Sequence, residues 1–214
     1  INNNKVDARV SYNGSYDAWA YGGGIYVGGT SNVTLHSCVI DSNWAYTYDY
    51  TSDGGSVGYV FGGGVYSNVS GTTTITDCEI AHNKITWEGH NIDSRSAGVY
   101  VEGGTANLTN ITVAYNENRQ GLYREGGTLN VISSIIWGNS SDDSGEISYS
   151  YTNRQGSPPD GEGNITKDPW FVDSGNGDYT LKPGSVCINR GDPSEIDDDA
   201  TRRDMGVHMY TDTH

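Results

Sequence analysis

The chain is short of the residues that ordinarily build a globular core: its 214 residues include only two phenylalanines, two methionines and three cysteines. Three cysteines cannot supply a framework of bridges, so disulfides do not hold it together. No stretch approaches the roughly 20 apolar residues of a membrane-spanning helix, and insertion by such a helix is not expected. Helix formers are thin, and the apolar runs are short, β-branched and bounded by Gly or Asn, so no long helix is expected either. Bases are scarce as well, 12 Lys and Arg against 27 Asp and Glu, a formal net charge of −15. That balance argues against nucleic acid or an anionic membrane as partner and leaves room for Ca²⁺. The five histidines, His36, His82, His90, His208 and His214, show no metal-ligand spacing. The chain opens at Ile1 without a signal peptide, which reads as a mature form or a fragment.

What is abundant is glycine (30) and tyrosine (16), and both recur in a pattern. Four phrases end on asparagine: CVIDSN at Asn43, CEIAHN at Asn83, ITVAYN at Asn116 and SIIWGN at Asn139. Three residues earlier stands Ile40, Ile80, Val113 or Ile136, and eight earlier Leu35, Ile75, Leu108 or Val131. Each copy opens Gly-aliphatic-Tyr: Gly24-Ile25-Tyr26, Gly64-Val65-Tyr66, Gly98-Val99-Tyr100, Gly121-Leu122-Tyr123. Short β-rich phrases of this kind cannot bury a face alone and must stack on their neighbours, about 4.8 Å apart in the direction of the strand hydrogen bonds. Each column then becomes a ladder. An asparagine ladder satisfies turn backbone that would otherwise be buried unpaired.

These phrases, and above all the run GEGNITKDPWFVDSGNGDYTLKPGSVCINRGDP (161–193) with Arg203-Asp204-Met205-Gly206 after it, resemble right-handed parallel β-helix proteins. That superfamily also contains pectate lyases and many bacterial surface proteins. The resemblance implies an all-β, right-handed parallel β-helix of about five coils, with coils and loop insertions over 1–160 and a C-terminal capping segment over 161–214. It also implies a secreted or cell-surface location.

Residues 1–13 read as the tail of another coil, with Val6, Ala8 and Val10 alternating and Asn13 in the ladder position. An uncovered first coil invites self-association. The segments after each ladder asparagine, 14–21, 44–61, 84–97 and 117–120, are expected to project as loops from one side, the usual place for a binding surface. The longest carries Trp44, Tyr46, Tyr48, Tyr50, Tyr59 and Phe61; Trp19 and Tyr21 precede it and Trp87 follows. These rings either pin the loops down or form a stacking platform for a polysaccharide or a second subunit. Tyr26, Tyr66, Tyr100 and Tyr123 should point outward where the preceding aliphatics point inward, stabilising the sheet face or gripping a ligand.

Glu102 and Glu125 hold equivalent places in successive repeats, a spacing that suits two carboxylates of a retaining glycosidase, stacked solvated acids or a cation site. A β-eliminating lyase would draw its base and cations from Lys84, Arg95, Arg119 and Arg124. Asp197, Asp198 and Asp199, and Asp142-Asp143, are candidate Ca²⁺ ligands or simply wet acidic turns. Cys38 and Cys78 share a column, as stacked free thiols or a bridge. No lyase or polygalacturonase signature is present. The expected function is therefore an extracellular structural or adhesive protein, able to assemble end to end into filaments and requiring no cofactor. The alternatives are a polysaccharide lyase or glycoside hydrolase, or a carbohydrate-binding module.

Overall fold

The computed structural model describes residues 1–10, 17–49, 57–141 and 143–210. The fold is all-β and its sheets are mostly parallel. A seven-stranded sheet contains Ile25–Gly29 and Val33–His36, then Val65–Thr76, Val99–Thr109, Leu122–Arg124 with Thr128–Ile132, and Ile147–Ser150. A five-stranded sheet runs through Val39–Asp41, Glu79–Ala81, Thr112–Ala114, Ile135–Trp137 and Asn153–Arg154. Pairing is repeat on repeat: Tyr26 opposes Tyr66, Tyr66 opposes Tyr100, and Tyr100 opposes Tyr123. The inward columns Ile40/Ile80/Val113/Ile136 and Ile75/Leu108/Val131 meet Val65, Val99 and Leu122 in one continuous core between the two sheets.

The corners between the sheets are made by residues with positive φ at matching places in each repeat. Ser37, Asp77, Asn110, Ser133 and Tyr151 form one such column; Asn3, Ser42, His82 and Tyr115 form the next, continued by Gly138. A left-handed residue costs a non-glycine of order 1 kcal/mol or more, which the packed strands on both sides hold in place.

The asparagine ladder runs through the second corner. Asn4 donates from its backbone N–H and its Nδ2 to Asn43 Oδ1, Asn43 does the same to Asn83, Asn83 to Asn116, and Asn116 to Asn139. Asn4, rather than Asn13, therefore holds the first ladder position; Asn13 lies outside the described residues.

Where they are described, the segments after the ladder pair as strands rather than project as loops; 14–16 and 50–56 lie outside the described residues. Lys5–Val10, Trp44–Asp49 and Lys84–Gly89 pair in parallel as one further sheet, and Ala18–Tyr21, Gly58–Phe61 and Ile92–Arg95 as another. Pairing in register satisfies their backbone groups, and Ala20, Ala45, Val60 and Ile85 close a second apolar cluster. Residues 117–120 form a short connection, touched by isolated bridges such as Lys84 to Glu117.

Most of the tail lies along a sheet face. Residues near Ile165 add one rung against Asn153, but the rest runs back along the outer face of the five-stranded sheet. Its antiparallel hairpin, Phe171–Asp173 with Asp178–Leu181, packs Phe171, Tyr179 and Leu181, together with Cys187 and Met205, on Ala81, Ala114 and Ile135. Tyr179 hydroxyl shares a hydrogen bond with His82 Nε2 (3.1 Å), whose Nδ1 meets Asp41 (2.9 Å). Further on, Gly206 N–H donates to Ser133 O (2.8 Å), Arg203 pairs with Asp77, and His208 with Glu79 (2.7 Å). The sheet is thus buried on both faces, the usual condition of parallel sheets.

Candidate functional site

Alternation in the sheet of Lys5–Val10, Trp44–Asp49 and Lys84–Gly89 sends Ala8, Ala45 and Ile85 to the apolar cluster and places Trp44, Tyr46 and Tyr48 along the opposite face of the central strand. Register sets Lys5 and Lys84 on either side of Trp44, Asp7 and Thr86 beside Tyr46, and Arg9 and Glu88 beside Tyr48. Lys5 Nζ lies 4.0 Å from the Trp44 ring centre and Lys84 Nζ 4.8 Å. Trp44 Nε1 donates to Thr86 Oγ1, which fixes the indole in plane. Trp44 and Tyr46 meet edge to face at 5.8 Å, and the Arg9 guanidinium lies 5.8 Å from the Tyr46 ring.

Asp7 ties the cations together, accepting from Arg9 through both oxygens (2.8 Å each) and pairing with Lys5 at 3.1 Å. The Arg9 guanidinium holds the Asp7 carboxyl well below the usual range. Desolvation, and next the Glu88 carboxylate, raise the Tyr46 phenol. Tyr48, next in the row, is buried, so a chain of net charge −15 gathers three of its 12 bases around two accessible rings.

The other expected residues fall elsewhere. Trp87 faces the apolar cluster rather than Trp44, with Arg119 stacked over it at 4.3 Å. Tyr50, Asp142 and His214 lie outside the described residues. The tyrosine column does point away from the main core, yet it is not an open face. Tyr66 and Tyr100 are buried because Tyr21 and Phe61, from the neighbouring sheet, lie over them. Only Tyr26 is open.

Glu102 is on the strand Val99–Thr109 and accepts the Tyr66 hydroxyl, while Glu125 lies in the bend after Leu122–Arg124 and faces solvent. Lys84 is held on Trp44, and Arg124 donates to Gly127 O (2.6 Å). Asp197, Asp198 and Asp199 do not converge. Asp197 is buried and accepts from Asp204 N–H (2.9 Å), Asp199 caps Thr201 N–H (2.9 Å), and Asp198 is exposed. Among the described residues no group of three or more His, Cys, Asp or Glu is placed to hold a metal ion. Cys38 and Cys78 are free thiols, Cys38 N–H donating to Cys78 Sγ at 3.3 Å. Burial pushes the Cys78 thiol up to about 11 and Cys187 up to about 12, so neither offers a thiolate near neutral pH.

A second feature escapes the sequence. At the last rung a cleft of about 540 Å³ opens, lined by Arg124, Leu129, Ile147, Tyr149 and Pro159, with Asp143 and Arg154 in its wall. Asp143 lies in the rung after Leu122, next to the bridge from Tyr123 to Ser144, so it ends an inward aliphatic column with a carboxylate. It accepts from Leu122 N–H (2.8 Å), Tyr149 hydroxyl (2.9 Å) and Arg154 Nε (3.2 Å). Burial raises its pKa despite those donors. Arg154 falls in the column of Ile136 and Tyr149 in that of Val131, so the core closes on a polar cluster.

No protein-family model, no curated protein and no solved structure matches the chain.

Proposed function

We propose that these sheets close into a right-handed parallel β-helix of about five coils, and that the protein works outside the cell as a structural, adhesive rod that holds polysaccharide on its Trp44–Tyr46 face. The location rests on the resemblance of residues 161–193 to the closing segments of secreted β-helix proteins. One observation carries the adhesive reading: two large half-buried rings, Trp44 and Tyr46, side by side on the central strand of a sheet, with bases beside them. Rings fixed by pairing on both sides offer broad, rigid contact area at little entropic cost, and sugar hydroxyls find donors in Lys5, Lys84 and Arg9.

Affinity electrophoresis against a panel of soluble neutral and acidic polysaccharides tests this. Trp44→Ala and Tyr46→Ala should each weaken retardation about tenfold or more, on the scale of a lost hot spot, while circular dichroism stays that of the parent. Retardation by no polysaccharide, or retardation unchanged in both ring variants, overturns the reading.

The enzymatic alternative has its best seat in the end cleft, where a buried carboxyl of raised pKa meets a tyrosine and an arginine. It requires product release from one of the same polysaccharides, abolished in Asp143→Asn.

A further inference from the structure

The tyrosine column has a geometry that sheet stability alone does not require. Tyr26 and Tyr66 stack with ring centres 5.2 Å apart and planes 9° from parallel, Tyr66 and Tyr100 at 5.3 Å and 5°, Tyr100 and Tyr123 at 5.5 Å and 3°. Tyr21 lies flat against Tyr66 at 4.4 Å, and Phe61 against Tyr100 at 4.8 Å. The column therefore has one open ring, Tyr26, 58 % exposed, and a buried interior. At the first buried ring a base is already in place, since the Tyr66 hydroxyl donates to the Glu102 carboxylate.

A phenol loses its electron readily only if its proton has somewhere to go at the same moment. Tyr26 can release a proton to water, and Tyr66 can release one to Glu102. Burial holds the Tyr66 and Tyr100 phenols neutral at ordinary pH, so both begin in the protonated form that such a coupled transfer needs.

We propose that this ladder is an oxidative modification site at which a one-electron oxidant of the haem-peroxidase class, supplied with hydrogen peroxide, joins Tyr26 to Tyr66 as an intrachain dityrosine. The first oxidation removes an electron from exposed Tyr26. The hole passes to Tyr66, whose proton moves to Glu102 and then to solvent. A second oxidation of Tyr26 leaves a radical on each ring. These form one carbon–carbon bond between positions ortho to the hydroxyls, and the two ring hydrogens move to the oxygens as aromaticity is restored. Overall, two phenols and one H₂O₂ give one dityrosine and two waters, a covalent staple between neighbouring repeats. Tyr21 is closer to Tyr66 (4.4 Å) than Tyr26 is (5.2 Å), but it is partly covered, so the second oxidation reaches Tyr26 first.

The test treats dilute protein with a haem peroxidase and stoichiometric H₂O₂. Cleavage before aspartate then separates residues 17–40, with Tyr26, from residues 53–76, with Tyr66. The expected result is blue dityrosine fluorescence in the monomer fraction and a linked pair of these peptides, two hydrogens lighter than their sum, with fragmentation placing the bond at Tyr26 and Tyr66. Tyr66→Phe should abolish that pair, and Glu102→Gln should lower its yield several-fold while leaving the circular dichroism unchanged. The proposal fails if the unsubstituted protein gives only cross-links between chains, links at Tyr46, Tyr115 or Tyr21 instead, or no dityrosine. It also fails if the yield ignores Glu102.

Discussion

Gly64 and Asn83, the two signature residues of one repeat, are a single contact: a Cβ on Gly64 would lie 2.9 Å from Asn83 Nδ2 and 2.9 Å from the Gly98 carbonyl. The same crowding ties Gly24 to Asn43 and Gly121 to Asn139. In these three phrases the opening glycine is there because the closing asparagine needs the space; in the fourth, Gly98 is crowded by the Gly121 carbonyl and Val113 instead.

Asn83 donates to Ile40 O (2.8 Å) and Asn116 Oδ1 (3.1 Å) and accepts two bonds from Asn43, all out of water. Asn83→Ala should cost roughly 2 to 4 kcal/mol, since several buried groups lose partners together. Asn139→Ala, at a half-buried end of the ladder, should cost less. Gly64→Ala should cost about 1 to 3 kcal/mol by overpacking against backbone that cannot move. Urea denaturation of the three variants gives the ranking; equal losses at Asn83 and Asn139 would mean that water substitutes throughout.

Removing the carboxylate that closes the core takes the Asp143 ion pair from Arg154, whose side chain is only 13 % exposed. Asp143→Ala should therefore destabilise by about 3 to 5 kcal/mol, as expected for breaking a buried pair from one side. Arg154→Met with Asp143→Leu should recover most of that loss. A double variant as weak as Asp143→Ala would show that the hydrogen bonds to Leu122 and Tyr149, rather than the charge pair, hold the end of the stack.

Stability should fall as pH rises above 3.8, the ordinary carboxyl value. Burial raises the carboxyls of Asp143, Asp197 and Asp204 above their ordinary value of 3.8. In that window the folded chain binds more protons than the unfolded one. Their contribution is complete below 3.8 and is lost as pH climbs through the raised folded values. The lowered carboxyls of Asp7, Asp178, Asp192 and Asp199 act in the opposite sense, but they sit at or near the surface, where solvent screens them. Self-repulsion at net charge −15 works in the same direction as the buried acids. A urea midpoint that rises toward pH 8 would show that the ionised Asp143–Arg154 pair outweighs burial.

The tail should detach before the sheets unfold. Ala81 and Ala114 leave room for Tyr179, and Ala114→Leu should cost about 1 to 3 kcal/mol by filling it. In hydrogen exchange, the amides of residues 178–181 should then exchange faster while those of 99–109 keep their protection. Loss of protection in both at once would make tail and sheets one cooperative unit.

The repeated columns are legible in the sequence because stacking sets like on like. Once Gly-aliphatic-Tyr and the closing asparagine recur, register follows, and the aliphatics must face inward. What that periodicity does not encode is which surface an outward residue meets. Tyr66 and Tyr100 read as outward and are outward from the main core, yet they are buried because Tyr21 and Phe61 arrive on a different sheet. The segments after the asparagines vary in length and look like loops; only pairing across three repeats makes them strands. Ala81 and Ala114 look like filler until the tail lies on them. Asp143 reads as half of an acidic pair for a cation, and its neighbour Leu122 shows instead that it points into the core. Local pattern fixed the direction of each side chain, and burial depended on segments tens of residues away, because desolvation is a property of the packed surface rather than of the strand that contributes to it.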